Sequence, residues 1–399
     1  MPSALAVSRT ALVAVVFLAG CSSSSSGAPD GLACGSTVDG GGDGASLTSA
    51  LRSATTGTCV LVSSHTYRGS FVVPAGVTLA SARGSRATIT GDMAATPAIQ
   101  LLDGGGSGLF ALDVNDAAGV GVAVRGGPAK LSDVGISGAK GAALAVYCRE
   151  ASCASALVEL VDVRMQKSVM GLWVSGSTVK MTGGASTDHG SGGLSGGGGV
   201  VVQDGAHLEM TGTDIERNES VGVLVDGMGG STGALRDVTV SNNLDRGIWA
   251  QRISASMDAP GLRVEGEKTA IENNRIVGLG AAESHGIIFV GGKITDTAAA
   301  PILTSLGTTE MIGDGIGLFG GSGDVRVENV TLARNARTAG LIDTGSGVII
   351  FVGGKVETTS LKIVVQNTTS VVTIDPSLVS MSSALGVSAP QLPLAHVIE

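Results

Sequence analysis

One motif restricts this chain more than any other. Ile215–Gly222 (IERNESVG), Val240–Gly247 (VSNNLDRG) and Ile271–Gly278 (IENNRIVG) each place Asn three residues after an aliphatic residue and Gly four residues beyond the Asn. Leu332–Gly340 (LARNARTAG) fits with one extra residue. Short apolar runs follow most of these glycines and their upstream counterparts: GVAV from Gly121, GAALAV from Gly141, GLWVSG from Gly171, GVVVQDG from Gly199, GVLVDG from Gly222, GIWAQ from Gly247. The spacing is mostly in the low twenties to low thirties, which marks one structural unit stacked on copies of itself. The runs are β-branched, short and bounded by Gly, Asn and Asp, so they read as strands. Helical repeats need amphipathic stretches of ten or more residues, and the repeat region has none. A parallel β-helix fits, with each strand pairing to its equivalent one coil on and each coil rising ~4.8 Å.

A second echo carries aromatics: GIIFVGGKIT at Gly286–Thr295, GIGLFGGSGD at Gly315–Asp324 and GVIIFVGGKVET at Gly347–Thr358. A phosphate loop is excluded by spacing, because Ile287 and Ile349 stand where its first glycine belongs and neither Lys293 nor Lys355 precedes Ser or Thr. The intervals from Phe289 to Phe319 and from Phe319 to Phe351 predict one stacked aromatic column, each Phe preceding a Gly-Gly corner that a Cβ would obstruct. The Asn residues are expected to stack at a turn and bond the next coil. Ser305 is the expected substitute in the coil between Asn274 and Asn335.

The 63 glycines taken alone suggest low-complexity sequence, but 43 % hydrophobic residues in short runs supply a core. No basic stripe is present, so nucleic acid is a poor partner. The first residues read as an export signal: Arg9, then the apolar run Ala11–Leu18, too short to span a bilayer comfortably. Removing residues 1–20 takes away only the Arg9 charge and moves the net charge from −9 to −10. Leu18–Cys21 (LAGC) resembles the bacterial lipoprotein box, which implies that Cys21 carries the lipid and that the anchor is the membrane partner. SSSSSGAPDG at Ser22–Gly31 reads as a tether. Ser22 in place of Asp implies, by resemblance to enterobacterial sorting, the outer membrane. Four cysteines then remain, Cys34, Cys59, Cys148 and Cys153, an even number consistent with disulfides in an exported protein. Pairing in chain order, Cys34–Cys59 and Cys148–Cys153, is the chosen one of three connectivities. A zinc site competes, but no Cys-x2-Cys pair or nearby histidine supports it.

With the Asn turn and the Gly-aliphatic-x-aliphatic strand together, the chain resembles the right-handed parallel β-helix proteins of the pectin lyase-like superfamily. ASLTSALRSA at Ala45–Ala54 looks like the capping helix of such folds, and Cys59–Ser81 is similar to their opening strands. A cap is physically required, because an open solenoid end exposes strand edges and core. The expected organisation is a signal at 1–20, a tether at 21–43, a β-helix at 44–375 and a cap or tail at 376–399.

The resemblance implies that many relatives cut acidic polysaccharides, lyases with calcium and an Arg or Lys base, hydrolases with several aspartates. This chain holds fragments of the hydrolase motifs: Asp188-His189-Gly190, His285-Gly286 and Gly313-Asp314-Gly315. Asp204 and Asp226 come closest to a carboxylate pair, but both read as Asp-Gly turn residues. His189 reads as a solvated residue in a mobile loop. Lys293 and Lys355 are expected on one face two coils apart, ~10 Å, keeping an edge soluble. In Gly-φ-x-φ strands the middle residue points outward, which predicts an exposed stripe of Trp173, Val201, Leu224 and Trp249. Trp173, Leu224 and Trp249 form the expected ligand face; the competing reading buries them under a loop such as Gly183–Gly199 or Ala250–Glu267. With no complete catalytic set, no metal ligands and no cofactor motif, the sequence points to a non-catalytic, lipid-anchored envelope protein that binds a glycan or protein. The alternative is a polysaccharide lyase or glycoside hydrolase.

Overall fold

The structure is a computed structural model that describes residues 34, 37–38, 42, 44–102, 105–148, 156–190, 197–303, 309–357, 359 and 361–378. Cys21, Cys153 and Ser305 lie outside these residues. Within them the chain is a right-handed parallel β-helix. Each coil passes through three sheets in turn. Sheet 1 has 14 strands, from Thr37–Val38 to Val371–Ile374; sheet 2 has 12, from Thr66–Arg68 to Lys355–Glu357. Sheet 3 runs from Phe71–Val73 to Leu361–Gln366 and takes its thirteenth strand from an antiparallel arm. The helix Ala45–Ser53 sits at the start and buries Leu47 and Leu51, four residues apart on one face. Cys34 and Cys59 form a disulfide beside it. Cys148 is disulfide-bonded as well.

The core is a set of aliphatic columns. Leu172, Val200, Val223, Ile248, Leu279 and Ile316 follow one another in register along sheet 3, none more than 1 % exposed. Full burial contributes roughly 1.5–3 kcal/mol for each such side chain.

The Asn motif is a buried hydrogen-bonded ladder at the turn from sheet 2 into sheet 3. Asn218 Nδ2 donates to Asn243 Oδ1 at 2.8 Å, and Asn243 Nδ2 donates to Asn274 Oδ1 at 2.8 Å. Backbone amides join in: Asn218 N and Asn243 N donate to the same two oxygens at 3.1 and 3.0 Å. The glycine in the motif follows from this ladder, because a Cβ at Gly222 would lie 2.8 Å from the Asn243 amide nitrogen of the next coil. Two expectations change here. Thr297, not Ser305, fills the gap, its N–H donating to Asn335 Oδ1 at 3.2 Å. His189 is not solvated: it is a fully buried rung, its N–H donating to Asn218 Oδ1 at 3.1 Å and its Nδ1 accepting from Ser168 N–H at 3.3 Å.

The aromatic column is also corrected. Phe289 pairs with Val327, and Val327 with Phe351, all in sheet 1. Phe319 lies in sheet 3 opposite Ala282. The coils separating Phe289, Val327 and Phe351 are 38 and 24 residues long, and their total matches two even intervals of about thirty. The extra length is the arm Ala300–Leu303, which pairs antiparallel with the start of Thr309–Phe319. The Gly-Gly pairs misled because the coil has several left-handed corners. Gly291 (φ 74°) and Gly353 (φ 62°) follow sheet 1, where Asp133, Asp162, Asp237 and Asn329 also take positive φ. Gly320 (φ 59°) follows sheet 3, in a column with Arg252, Glu283 and Thr344. Lys293 and Lys355 do share one column, through Thr331, and pair with Glu272 and Glu357.

Candidate ligand groove on the outer face of sheet 3

Between the inward columns of sheet 3 runs one outward column: Gln100, Ala123, Ala145, Trp173, Val201, Leu224, Trp249, Gly280. The expected register is therefore present, but the expected exposure is not. Trp173 is 6 % exposed, Val201 and Leu224 1 %, and Trp249 0 %. They belong to a second apolar cluster outside the solenoid core, with Met170 and Ile276 at the starts of strands, Val221 just before one, Ala300 and Ile302 from the antiparallel arm and Ile312 from the strand it pairs with. Phe319 completes it, its ring stacked on Trp249 with centroids 6.2 Å apart. The Trp249 ring lies over the next coil, where Gly280 leaves room: a Cβ there would sit 2.3 Å from the ring. Arg246 lies over the Trp249 ring at 4.5 Å and pairs with Asp245. Burial lowers its pKa, with Asp245 opposing. Leu224 and Trp249 are thus withdrawn as ligand contacts.

Trp173 is different, because it ends a groove. Toward the helix the column shrinks to Ala145 and Ala123, and the missing side chains leave a cavity of about 380 Å³. Thr96 and Pro97 form one wall, Arg125 and Tyr147 the other, and Gln100 and Trp173 close the two ends. The Thr96 wall is tied down by a 2.7 Å hydrogen bond to Ser70 Oγ. The Tyr147 and Trp173 rings are 6.0 Å apart at 45°, and the Arg125 guanidinium stands 5.5 Å over the Tyr147 ring. Trp173 Nε1 is buried, with no hydrogen-bond partner among the described residues. An orphaned indole N–H costs about 1–3 kcal/mol.

The remaining candidates are structural. Asp204 ends a strand at φ 57° and accepts from Ser175 Oγ at 2.9 Å and Gln203 Nε2 at 2.8 Å. Asp226 is buried and accepts from Gln251 Nε2 at 3.0 Å and Arg252 Nε at 3.1 Å, while Gln251 Oε1 accepts from Trp249 Nε1 at 3.2 Å. Asp314 is a buried partner of Arg337, its pKa raised by burial against the pull of that arginine. Asp188 pairs with Arg217, whose hydrogen bonds hold its carboxyl below the usual range. A larger cleft of about 640 Å³ at the sheet 1 to sheet 2 corner is walled by charged side chains, of which Arg236 and Glu265 already pair. The smaller groove combines aromatic faces and a guanidinium, a composition expected of a specific ligand site. The sequence located Trp173; Arg125 and Tyr147, two positions along in the same sheet, became visible only through the register.

A family model described as "Right handed beta helix region" matches residues 118–294. No curated protein matches the chain. Among solved structures, the A-module of the Azotobacter vinelandii mannuronan C-5 epimerase AlgE4 is similar at 14 % identity and a TM-score of 0.51, covering 89 % of this chain and 97 % of its own. The periplasmic alginate epimerase AlgG is similar in a doubly substituted form, with 12 % identity, TM-score 0.53, and coverage of 81 % of this chain and 77 % of its own. At such identities the likeness is one of fold.

Proposed function

We propose that this protein is an envelope β-helix, lipid-anchored through Cys21 at the outer membrane, that binds an acidic glycan in the Trp173 groove without cleaving it. The observation that carries the binding site is the groove itself: Tyr147 and Trp173 set at 45° with Arg125 above. Aromatic faces stack on the apolar faces of sugar rings, and the guanidinium pairs with a carboxylate. The described lining contains no carboxylate, whereas cleavage of a glycosidic bond by acid–base chemistry uses two. The solved structures of similar fold include enzymes named for mannuronan and alginate, which suggests the polymer class to try first. The anchor reading rests on LAGC and the serine tether. Among the described residues no helix is long and apolar enough to cross a membrane.

The test is affinity electrophoresis of the mature protein through gels containing acidic or neutral polysaccharide. Retardation in the acidic gels alone, reduced in Arg125→Ala and Trp173→Ala, is expected. Equal mobility in all gels refutes the glycan reading. Ultraviolet-absorbing unsaturated products, or new reducing ends, replace it with the lyase or hydrolase reading.

A further inference from the structure

We propose a second site, independent of the glycan reading: Ser346, His285 and Asp324 form a nucleophile, base and orienting carboxylate able to hydrolyse short acyl esters. His285 and Asp324 belong to two sequence motifs that the groove leaves unused. The three residues come from three successive coils at the corner where sheet 3 passes into sheet 1. His285 Nδ1 stands 3.2 Å from Asp324 Oδ2, and His285 Nε2 stands 3.4 Å from Ser346 Oγ. The carboxylate is fixed from its other oxygen, since Asp324 Oδ1 accepts from Val348 N–H at 3.2 Å. With Nδ1–H donating to Asp324, the lone pair of Nε2 faces the serine, which is the tautomer a general base needs.

The reach across two coils depends on Gly323. It pairs with His285 in the ladder, and a Cβ on it would fall 1.5 Å from the Ser346 carbonyl oxygen. Only a residue without a side chain lets the imidazole and Ser346 meet. Half-exposed His285 and Asp324 leave the site open to solvent. Ser346 Oγ also contacts the Gly321 carbonyl, so its single proton rests on Gly321 in one hydroxyl rotamer and points to Nε2 in the other. The next residue, Gly347, is exposed at φ 69°, and its N–H enters no backbone hydrogen bond among the described residues. That places a free amide donor directly after the nucleophile, where an oxyanion is stabilised in other serine hydrolases.

In the proposed reaction Ser346 Oγ attacks the ester carbonyl carbon while its proton passes to Nε2. The tetrahedral adduct collapses, the carbon–oxygen bond to the alcohol breaks, and the alcohol leaves with that proton. Water then attacks the acyl-serine, again losing a proton to Nε2. The carboxylic acid departs, Oγ recovers the proton and the enzyme is restored. An open corner favours a small acyl group such as acetyl.

The experiment treats the full exported protein with a fluorophosphonate probe, maps the adduct by mass spectrometry, and follows p-nitrophenyl acetate hydrolysis in parallel. The expected result is a single adduct on Ser346. Hydrolysis should fall to the buffer rate in Ser346→Ala and His285→Gln, and by on the order of tenfold or more in Asp324→Asn. No adduct on Ser346 in the unsubstituted protein overturns the proposal whether or not any variant folds. So does an unchanged rate in a Ser346→Ala variant that melts like the parent.

Discussion

His189 makes the stability of this solenoid depend on pH in a defined window. It occupies a rung held in the next three coils by Asn, fully buried, with Nε2 3.1 Å from Ser186 Oγ, and Ser186 Oγ donates on to the Gly199 carbonyl at 2.7 Å. Burial, the largest effect, outweighs the attraction of Asp188 and pushes the imidazole from 6.5 down to about 4. Between those values the unfolded chain binds a proton that the folded chain refuses. Stability is therefore full above about pH 6.5, falls as the pH drops toward 4, and loses nothing further from this group below that. The window spans about 2.5 pH units at 1.36 kcal/mol each, so the loss is about 3 kcal/mol. Carboxylates held low by arginine, such as Asp188 and Glu265, lose their contribution mainly at more acidic pH. The assay is urea unfolding at pH 7, 6, 5 and 4 for the parent and for His189→Asn, which restores the residue used elsewhere in the ladder. The parent should lose about 3 kcal/mol more than the variant between pH 7 and 4, with most of the difference present by pH 4.5. Parallel pH profiles for the two proteins would falsify the assignment of His189 as a neutral ladder rung.

Gly280→Ala should destabilise by about 1–3 kcal/mol through overpacking against the Trp249 ring, and thermal melts of this variant beside an exposed Gly→Ala control measure it. Phe319→Ala should cost about 3–5 kcal/mol and couple to Trp249→Ala, its ring neighbour, but add independently to Phe289→Ala; a double-mutant cycle reading strong coupling to Phe289 instead would contradict the register. Removing the Cys34–Cys59 bridge, whose cysteines are 25 residues apart, by Cys34→Ala with Cys59→Ala should lower stability by about 3 kcal/mol by the chain-entropy account, read as the shift in urea midpoint without reductant, where the Cys148 bridge stays intact. Cys21→Ser should abolish metabolic labelling with a fatty acid, and continued labelling contradicts the anchor.

The repeat was legible because the ladder needs Asn and the glycine beside it is sterically compelled, so both survive as letters in the sequence. Rungs at His189 and Thr297 were not, since there the backbone N–H makes the bond to the next Asn and no letter marks it. The strand register from Trp173 to Trp249 was readable from Gly-φ-x-φ, yet exposure was not. Alternation tells which side of a sheet a residue faces and says nothing about what lies on that side. Here the antiparallel arm Ala300–Leu303 and residues at the starts of the strands, Met170 and Ile276 among them, bury it. The same arm stretches one coil to 38 residues beside one of 24, and their total mimics two even intervals, which placed Phe319 in the wrong column. Ser346, His285 and Asp324 come from three coils of unequal length, and only the strand register of the folded chain brings them together.

The central claim is that Trp173 ends a glycan groove, and the protein's own fluorescence tests it most directly. It has two tryptophans, and Trp249 is sealed from solvent. Acidic oligosaccharides of increasing length should change the emission saturably through Trp173, with the change absent in Trp173→Phe and weakened in Arg125→Ala. Neutral oligosaccharides of matched length should leave it unaltered. A saturable signal that persists in Trp173→Phe would place any binding elsewhere, and no signal with any acidic oligosaccharide would contradict the account.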